Sequence, residues 1–379
     1  MAADNLSFIF KCFSELSGVS KISSLRYFIV IFFLFGLGLS VFSENHATEE
    51  GDVEVSGLII EHISDSHQWH IIEYTNRHGQ TIQLSLPLPV ILWYDGEPWF
   101  YSSDEFYHSE TPAAIGDDFV VLKDETFYIT GSDGAVNYDE NGHITNVSPA
   151  DFSITRNVAS MFLSMIIIMS VFILAARSYA RHGMVAPKGL RAVLEPLILF
   201  VRDDIARSQI DKDKADKYVP FLLTLFFFIW INNLIGLVPF FPGGSNLSGN
   251  ISFTATLAVF SFFAINLSGS KDYWKHTFTA PGVPVFVKFL LVPVEFIGLF
   301  TKPFALMIRL FANITAGHII ILSLVTMIFI LKSIYIAPVS ILLSLVMFML
   351  ELLIAVLQAY IFTMLTSLFI GMSTNKTEH

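Results

Sequence analysis

Apolar residues follow three rhythms along this chain. Between about residues 50 and 150 apolar and polar positions alternate, as in Val53-Glu54-Val55 and Thr81-Ile82-Gln83-Leu84-Ser85-Leu86. Asp95-Gly96, Asn141-Gly142 and Gly131-Ser132-Asp133-Gly134 punctuate the alternation. A period of two interrupted by such pairs predicts strands joined by tight turns. From Val158 the rhythm changes to long, predominantly apolar runs: 158–176, 219–239, 251–267, 303–331 and 337–371. A bilayer-spanning helix needs about 20 apolar residues. The last two runs exceed that, which predicts tilted helices, hinged near Lys332–Pro338. The third rhythm lies between the others. Leu190, Val193, Leu194, Leu197, Ile198 and Val201 recur at three-four spacing with charges between them, the mark of a helix lying along the membrane interface. The Pro/Gly segment 239–249 reads as a turn, and a second Pro/Gly-marked segment, 281–293, precedes the last two runs. The predicted architecture is an all-α multi-pass membrane bundle of about five transmembrane helices. It has two long tilted C-terminal helices, an interfacial helix and an N-terminal β-rich extension.

Composition supports this division. Hydrophobic residues make up 53% of the 379 and charged residues 15%, which excludes a chain packed wholly in water. Residues 44–150 hold 20 Asp/Glu and 2 Lys/Arg, and the remainder holds 13 and 20. Nine Lys/Arg fall between Arg177 and Lys217. The positive-inside bias therefore puts that loop and the C-terminus in the cytoplasm and the acidic segment on the outside of the membrane. Lys21 and Arg26, the apolar run 27–42 and Ser43 have the order of a signal peptide, so cleavage is expected. The expected domains are a signal peptide (1–43), an acidic extracytoplasmic β-rich domain (44–150) and a membrane domain (151–379). Cys12 is the sole cysteine, so no disulfide forms within the chain. Seven of eleven histidines lie in the acidic segment, including His62, His67 and His70. On a strand His67 and His70 point to opposite faces, so these histidines are expected to be solvated, with no metal site.

Away from their ends, the two long helices carry three ionisable residues, Arg309, His318 and Glu351, together with the polar Asn313 and Gln358. Such groups are costly in lipid, about 2.5–3.5 kcal/mol for a central arginine, and mark ion pathways. Glu351 is one candidate anion for Arg309. Level neighbours in an antiparallel hairpin have residue numbers of constant sum, which sets Arg309 level with Gln358 and His318 level with Glu351. Arg309 and Asn313 share a helix face, whereas His318 lies about 180° around and ~13.5 Å further along. A histidine beside a glutamate suits proton transfer, and an arginine stays charged at every physiological pH.

The run Lys302-Pro-Phe-Ala-Leu-Met-Ile-Arg-Leu-Phe-Ala-Asn-Ile-Thr-Ala-Gly-His318 resembles the arginine helix of the subunit a family of F-type ATP synthases. Asn233–Pro239, Ser248–Ser252, Pro293-Val-Glu295 and Leu357–Phe362 are similar to further family segments, in the same order. The resemblance covers about residues 155–372. It implies a proton-translocating, non-catalytic subunit working with a rotating c-ring and stator b subunits in the lipid bilayer, without cofactor or nucleic acid. It implies that Arg309, supported by Gln358 and neighboured by Asn313, faces the ring's carboxylate between two offset half-channels. His318, Glu351, Asn233, Ser248 and Asn250 would line the outer one, and Glu295 would lie by the cytoplasmic one. The chain departs from many bacterial relatives in two ways. His318 and Glu351 have exchanged residue types, and the acidic domain is additional. Two other classes fit less well. A secondary transporter would show internal repeats, and an intramembrane hydrolase needs a motif such as His-Glu-x-x-His or Gly-x-Ser-x-Gly, which the chain lacks.

Overall fold

The computed structural model describes residues 65–75, 81–107, 111–139, 143–182, 189–238, 241–279, 284–331 and 335–374. The expected leader 1–43, His62 and the strand at 53–55 lie outside the described residues.

Among the described residues eight strands precede the long helices: β1 (Gln68–Thr75), β2 (Thr81–Pro87), β3 (Pro89–Tyr94), β4 (Glu97–Ser102), β5 (Ala113–Ile115), β6 (Asp118–Lys123), β7 (Thr126–Thr130) and β8 (Ala150–Asp151), with one helical turn, Asp104–Tyr107, between β4 and β5. They form a β1-β2 pair and two three-stranded sheets ordered β4-β3-β8 and β5-β6-β7. The three-stranded sheets are antiparallel. The alternation is visible in β3, where Val90 and Leu92 turn inward to meet Ile115, Val120 and Phe127. Burying each such side chain contributes about 1.5–3 kcal/mol.

The β3-β4 hairpin turns on Asp95 (φ 49) and Gly96 (φ 83), the left-handed pair that the Asp-Gly dipeptide favours. The β6-β7 hairpin has the same geometry without glycine, at Asp124 (φ 49) and Glu125 (φ 59). A side chain in that region costs about 1–2 kcal/mol. Glu125 offsets the cost through its contacts. Its carboxylate accepts the His67 backbone N–H at 3.1 Å and the Tyr107 hydroxyl at 2.6 Å, and lies 3.2 Å from His67 Nδ1. His67 Nε2 stands 2.9 Å from Asp151 on β8. The expectation of a solvated His67 is therefore corrected: the ring is 4% exposed and edge-on to Phe127.

Burial alone would pull the His67 proton off. The hydrogen bonds and charges of Asp151 and Glu125 outweigh it and raise the pKa from 6.5 to about 9. The same contacts hold Glu125 and Asp151 below their usual values, against burial. A raised folded-state pKa means that His67 contributes its stability fully below pH 6.5 and loses it as pH rises through about 9. The lowered carboxylates lose theirs as pH falls toward their own values. Unfolding of this domain, followed by tryptophan fluorescence and limited proteolysis of the detergent-solubilised protein, should show a midpoint that drops between pH 8 and 10. His67→Gln should flatten that drop and cost about 3 kcal/mol at pH 7, since one partner of a buried pair is removed. An unchanged midpoint in His67→Gln would mean that the cluster does not hold the domain.

The helical part comprises α1 (Arg156–His182), α2 (Leu190–Leu199), α3 (Lys212–Leu237), α4 (Ile251–Leu267), α5 (Lys271–Thr279), α6 (Val285–Ile330) and α7 (Ala337–Thr374). Among the described residues α1, α3, α6 and α7 are long and apolar enough to cross a membrane, and α4 with α5 makes a fifth candidate span bent by 101°. A π-helical turn, Phe200–Ala206, continues α2 and ends its three-four rhythm. Leu222, Phe226 and Ile229 of α3 pack with Leu306, Leu310 and Ile314 of α6 and with Ala359, Phe362 and Ile370 of α7.

Two sides of the bundle are defined by contacts at its ends. At one, Lys214 Nζ donates to the Thr374 carbonyl at 2.7 Å and Ser270 N to the Ser373 carbonyl at 2.8 Å. At the other, Arg156 N donates to the Ser66 carbonyl, and Asn157 N to Asp65 Oδ1 at 3.1 Å. The basic residues around Arg207–Lys214 and the β-sheets' attachment thus lie on opposite sides.

The helix expected from about Pro303 starts earlier: α6 begins at Val285 and carries Pro293 and Pro303 inside it. An internal proline removes one backbone hydrogen bond and costs about 3 kcal/mol. Here a row of ring contacts braces the first turns: Phe262 stacks on Phe300 at 5.4 Å, and Phe296 bridges Phe300 and Phe278. At 46 residues α6 is about 69 Å long, more than twice the hydrocarbon core.

Candidate functional site

The helical rhythm of α6 sorts its polar residues onto different faces. Leu306, Leu310, Ile314 and Gly317 are buried inward, while Ala305, Arg309, Ala312, Asn313 and Ala316 are exposed. Arg309 therefore stands near the middle of α6 on an outer flank, among small residues and beside Asn313. It has no hydrogen bond or ion pair among the described residues. Glu351 is not its anion, which corrects that expectation: Glu351 is 1% exposed and faces His318 across the α6-α7 seam. Gln358, level with Arg309 by hairpin geometry, is buried, and no hydrogen bond joins the two.

The seam bears out the level matching of His318 with Glu351. His318 Nδ1 lies 2.5 Å from Glu351 Oε1, an ion-pair distance whose angles fall outside those of a hydrogen bond. Gly317 makes the approach feasible. A Cβ there would stand 2.9 Å from Glu351 Oε1 and 3.0 Å from its Cδ, so only glycine leaves the carboxylate its place. His318 Nε2 faces the Gly236 carbonyl at 3.4 Å, at the long limit of a hydrogen bond. A carbonyl only accepts, so a proton on Nε2 suits this contact, and Nδ1 is the ring nitrogen that faces Glu351.

Asn233 and Ser248 meet directly. Ser248 Oγ donates to Asn233 Oδ1 at 2.5 Å, and Asn233 Nδ2 donates to the Ala355 carbonyl of α7 at 3.3 Å, one turn from Glu351. Asn250 is otherwise engaged: its side chain caps α4, accepting from Ser252 N at 2.9 Å and Phe253 N at 3.4 Å. Glu295 lies on the early part of α6, 3.1 Å from His276 of α5. The sequence reading had passed over His276, because the two stand on different helices with no shared periodicity to link them.

The arrangement holds three polar centres along the hairpin. The Glu295–His276 pair lies toward the end where α5 begins, Arg309 stands mid-helix on the outer flank, and the His318–Glu351–Asn233–Ser248 group lies inward toward the opposite end. Arg309 thus stands between two groups of ionisable and polar side chains that lie on different faces of the helices.

A family profile described as ATP synthase A chain matches residues 158–371. A second, described as a domain of unknown function, DUF8433, matches residues 58–152. Among similar proteins, ATP synthase subunit a of Chloroherpeton thalassium is 45% identical over 233 residues, covering 60% of this chain and 69% of that protein. ATP synthase subunit a 2 of Prosthecochloris aestuarii is 44% identical over 236 residues, covering 60% and 71%. ATP synthase subunit a of an Anaeromyxobacter species is 42% identical over 259 residues, covering 64% and 62%.

Proposed function

Because the chain belongs to the ATP synthase A chain family, we propose that it carries protons along two offset half-channels to and from the carboxylates of a rotating c-ring, with Arg309 dividing them. The chain is a multi-pass membrane subunit and non-catalytic. The observation that carries the proposal is the position of Arg309, exposed at mid-helix, without an anion among the described residues and flanked by alanines. An intramembrane arginine needs an anion or water, and here the anion comes from a partner. A ring carboxyl brought beside the guanidinium is held in its charged form, so it gives up its proton there. Arg309 itself cannot release a proton, so none passes straight from one half-channel to the other.

On this reading His318 and Glu351, approached past Asn233 and Ser248, exchange protons with the ring on the outer side. Glu295 with His276 serves the cytoplasmic side, and Asn313 and Gln358 flank Arg309. Asn250 acts through the start of α4. The stator's b subunits hold the chain against the ring. Residues 44–150 lie outside a bacterial inner membrane as a β-rich domain on the membrane domain 151–379, and the C-terminus is cytoplasmic.

One set of single-cysteine variants in a Cys12→Ser background tests this reading. A short photoactivated thiol reagent on Asn313→Cys should give an adduct with the ring subunit in the intact complex. In sealed vesicles Ser132→Cys and Ser208→Cys should label from opposite sides. Adducts with lipid alone would remove the ring from this face, and same-side labelling would overturn the orientation.

A further inference from the structure

The outer polar group does not end at Ser248. Ser245, two residues before the turn Leu247–Gly249, is fully buried, and its hydroxyl donates to Asn157 Oδ1 of α1 at 2.6 Å. The Ser245 carbonyl lies 3.1 Å from where a Gly236 Cβ would stand, and the Gly236 carbonyl faces His318 Nε2. Two polar contacts, His318 with the Gly236 carbonyl and Ser245 with Asn157, are thus brought together where the Ser245 backbone packs against Gly236. From there the Asn157 backbone N–H reaches Asp65, beside the first turn of α1.

Asn157, Ser160 and Ser164 recur at three-four spacing on α1, and all three are buried in a stretch, 157–169, that is otherwise apolar; the Ser164 hydroxyl donates to the Met161 carbonyl. Ser160 Oγ has no hydrogen-bond partner among the described residues, and neither does Asn246 Nδ2 or Asn232 Oδ1. Buried polar atoms without a protein partner are costly, about 1–3 kcal/mol each, unless water reaches them. Helix packing alone would be served by alanine at these positions.

We propose that the outer proton path enters beside Asp65 at the start of α1 and descends past Asn157, Ser160 and Ser245 before it reaches Asn233, Ser248 and His318. The proposal rests on the half-channel reading above and extends it to α1 and to the junction with the β-rich domain. The polar face of α1 serves as a wetted wall: its hydroxyls and amide orient water that passes protons inward.

The test uses the assembled complex in a Cys12→Ser background, with Asn157→Cys, Ser160→Cys and Ser245→Cys made singly. Ser248→Cys marks the part of the outer path proposed above, and Ile166→Cys marks the exposed flank of α1. Passive proton flux through the membrane sector is measured before and after silver ion, a small cation that seals an accessible thiol. Silver is expected to remove most of the flux in Ser160→Cys and Ser245→Cys, as in Ser248→Cys, and to leave Ile166→Cys unchanged. Flux blocked at Ser248→Cys but untouched at Ser160→Cys and Ser245→Cys would overturn the α1 path while leaving the half-channel reading intact. Flux untouched at all four internal positions would overturn both. If the α1 residues only glued helices together, Asn157→Leu would lower assembly and flux in proportion. The path predicts that flux per assembled complex falls in Asn157→Leu and returns in Asn157→Ser. Unchanged flux per complex in Asn157→Leu would sink the proposal.

Discussion

Replacing Arg309 with alanine is expected to abolish ATP-driven proton pumping and ATP synthesis while the complex still assembles. The guanidinium makes no hydrogen bond or ion pair among the described residues and lies on an exposed flank, so its removal should change the fold's stability by no more than about 0.5 kcal/mol. The functional loss has a different scale. A unit charge ~4 Å from a carboxylate contributes about 4 kcal/mol at an effective dielectric near 20, nearly a thousandfold in the ionisation equilibrium. Without it, a passing carboxyl keeps its proton and carries it past the boundary, so rotation no longer drives net transport. Pumping and synthesis rates normalised to assembled complex are the measurement. Full pumping by an assembled Arg309→Ala complex would refute the central role given to this charge.

The second large effect concerns His318 and Glu351. Passive and ATP-driven proton flux should fall sharply in His318→Ala and in Glu351→Gln, and the double variant should be scarcely worse than the more damaging single one. The 2.5 Å approach of Nδ1 to Oε1 makes them one proton-holding unit, and residues serving one step do not act additively. The expected coupling is about 0.5–3 kcal/mol. Multiplicative losses would argue for separate duties. The exchange His318→Glu with Glu351→His should recover more flux than either single exchange, because the pair keeps one imidazole and one carboxylate in the space that Gly317 leaves open.

Much of this organisation could be read from residue order. The run 251–267 became α4 with the same ends, and Ala337 begins α7 as the break at Pro338 suggests. Level matching across the hairpin put His318 against Glu351 because helix rise is constant, so depth follows from numbering. What escaped the sequence depended on neighbours distant along the chain. Pro293 looks like a breaker until Phe278, Phe296 and Phe300 are seen to brace it. Glu295 offers no hint of His276, and His67 reads as one of many polar histidines until Glu125 and Asp151 close on it. The Asp124-Glu125 turn lacks the glycine by which such hairpins are recognised. Asn157, Ser160 and Ser164 stand at helical spacing in the sequence, but nothing local shows that Ser245 lies against Asn157.

The alanines around Arg309 bear on friction. A moving partner that meets large interdigitating side chains must lift each out of its hole, and a buried leucine makes some 40–60 contacts of about 0.1–0.2 kcal/mol each. Such a surface would impose a deep notch at every step. Ala305, Ala312 and Ala316 offer few atoms to grip, so on the proposed reading the energy of a ring sliding past this flank would vary little with angle. The steep feature among these alanines would be the charge of Arg309. Thermal motion would then carry such a ring between stops set by protonation and not by the shape of the bearing.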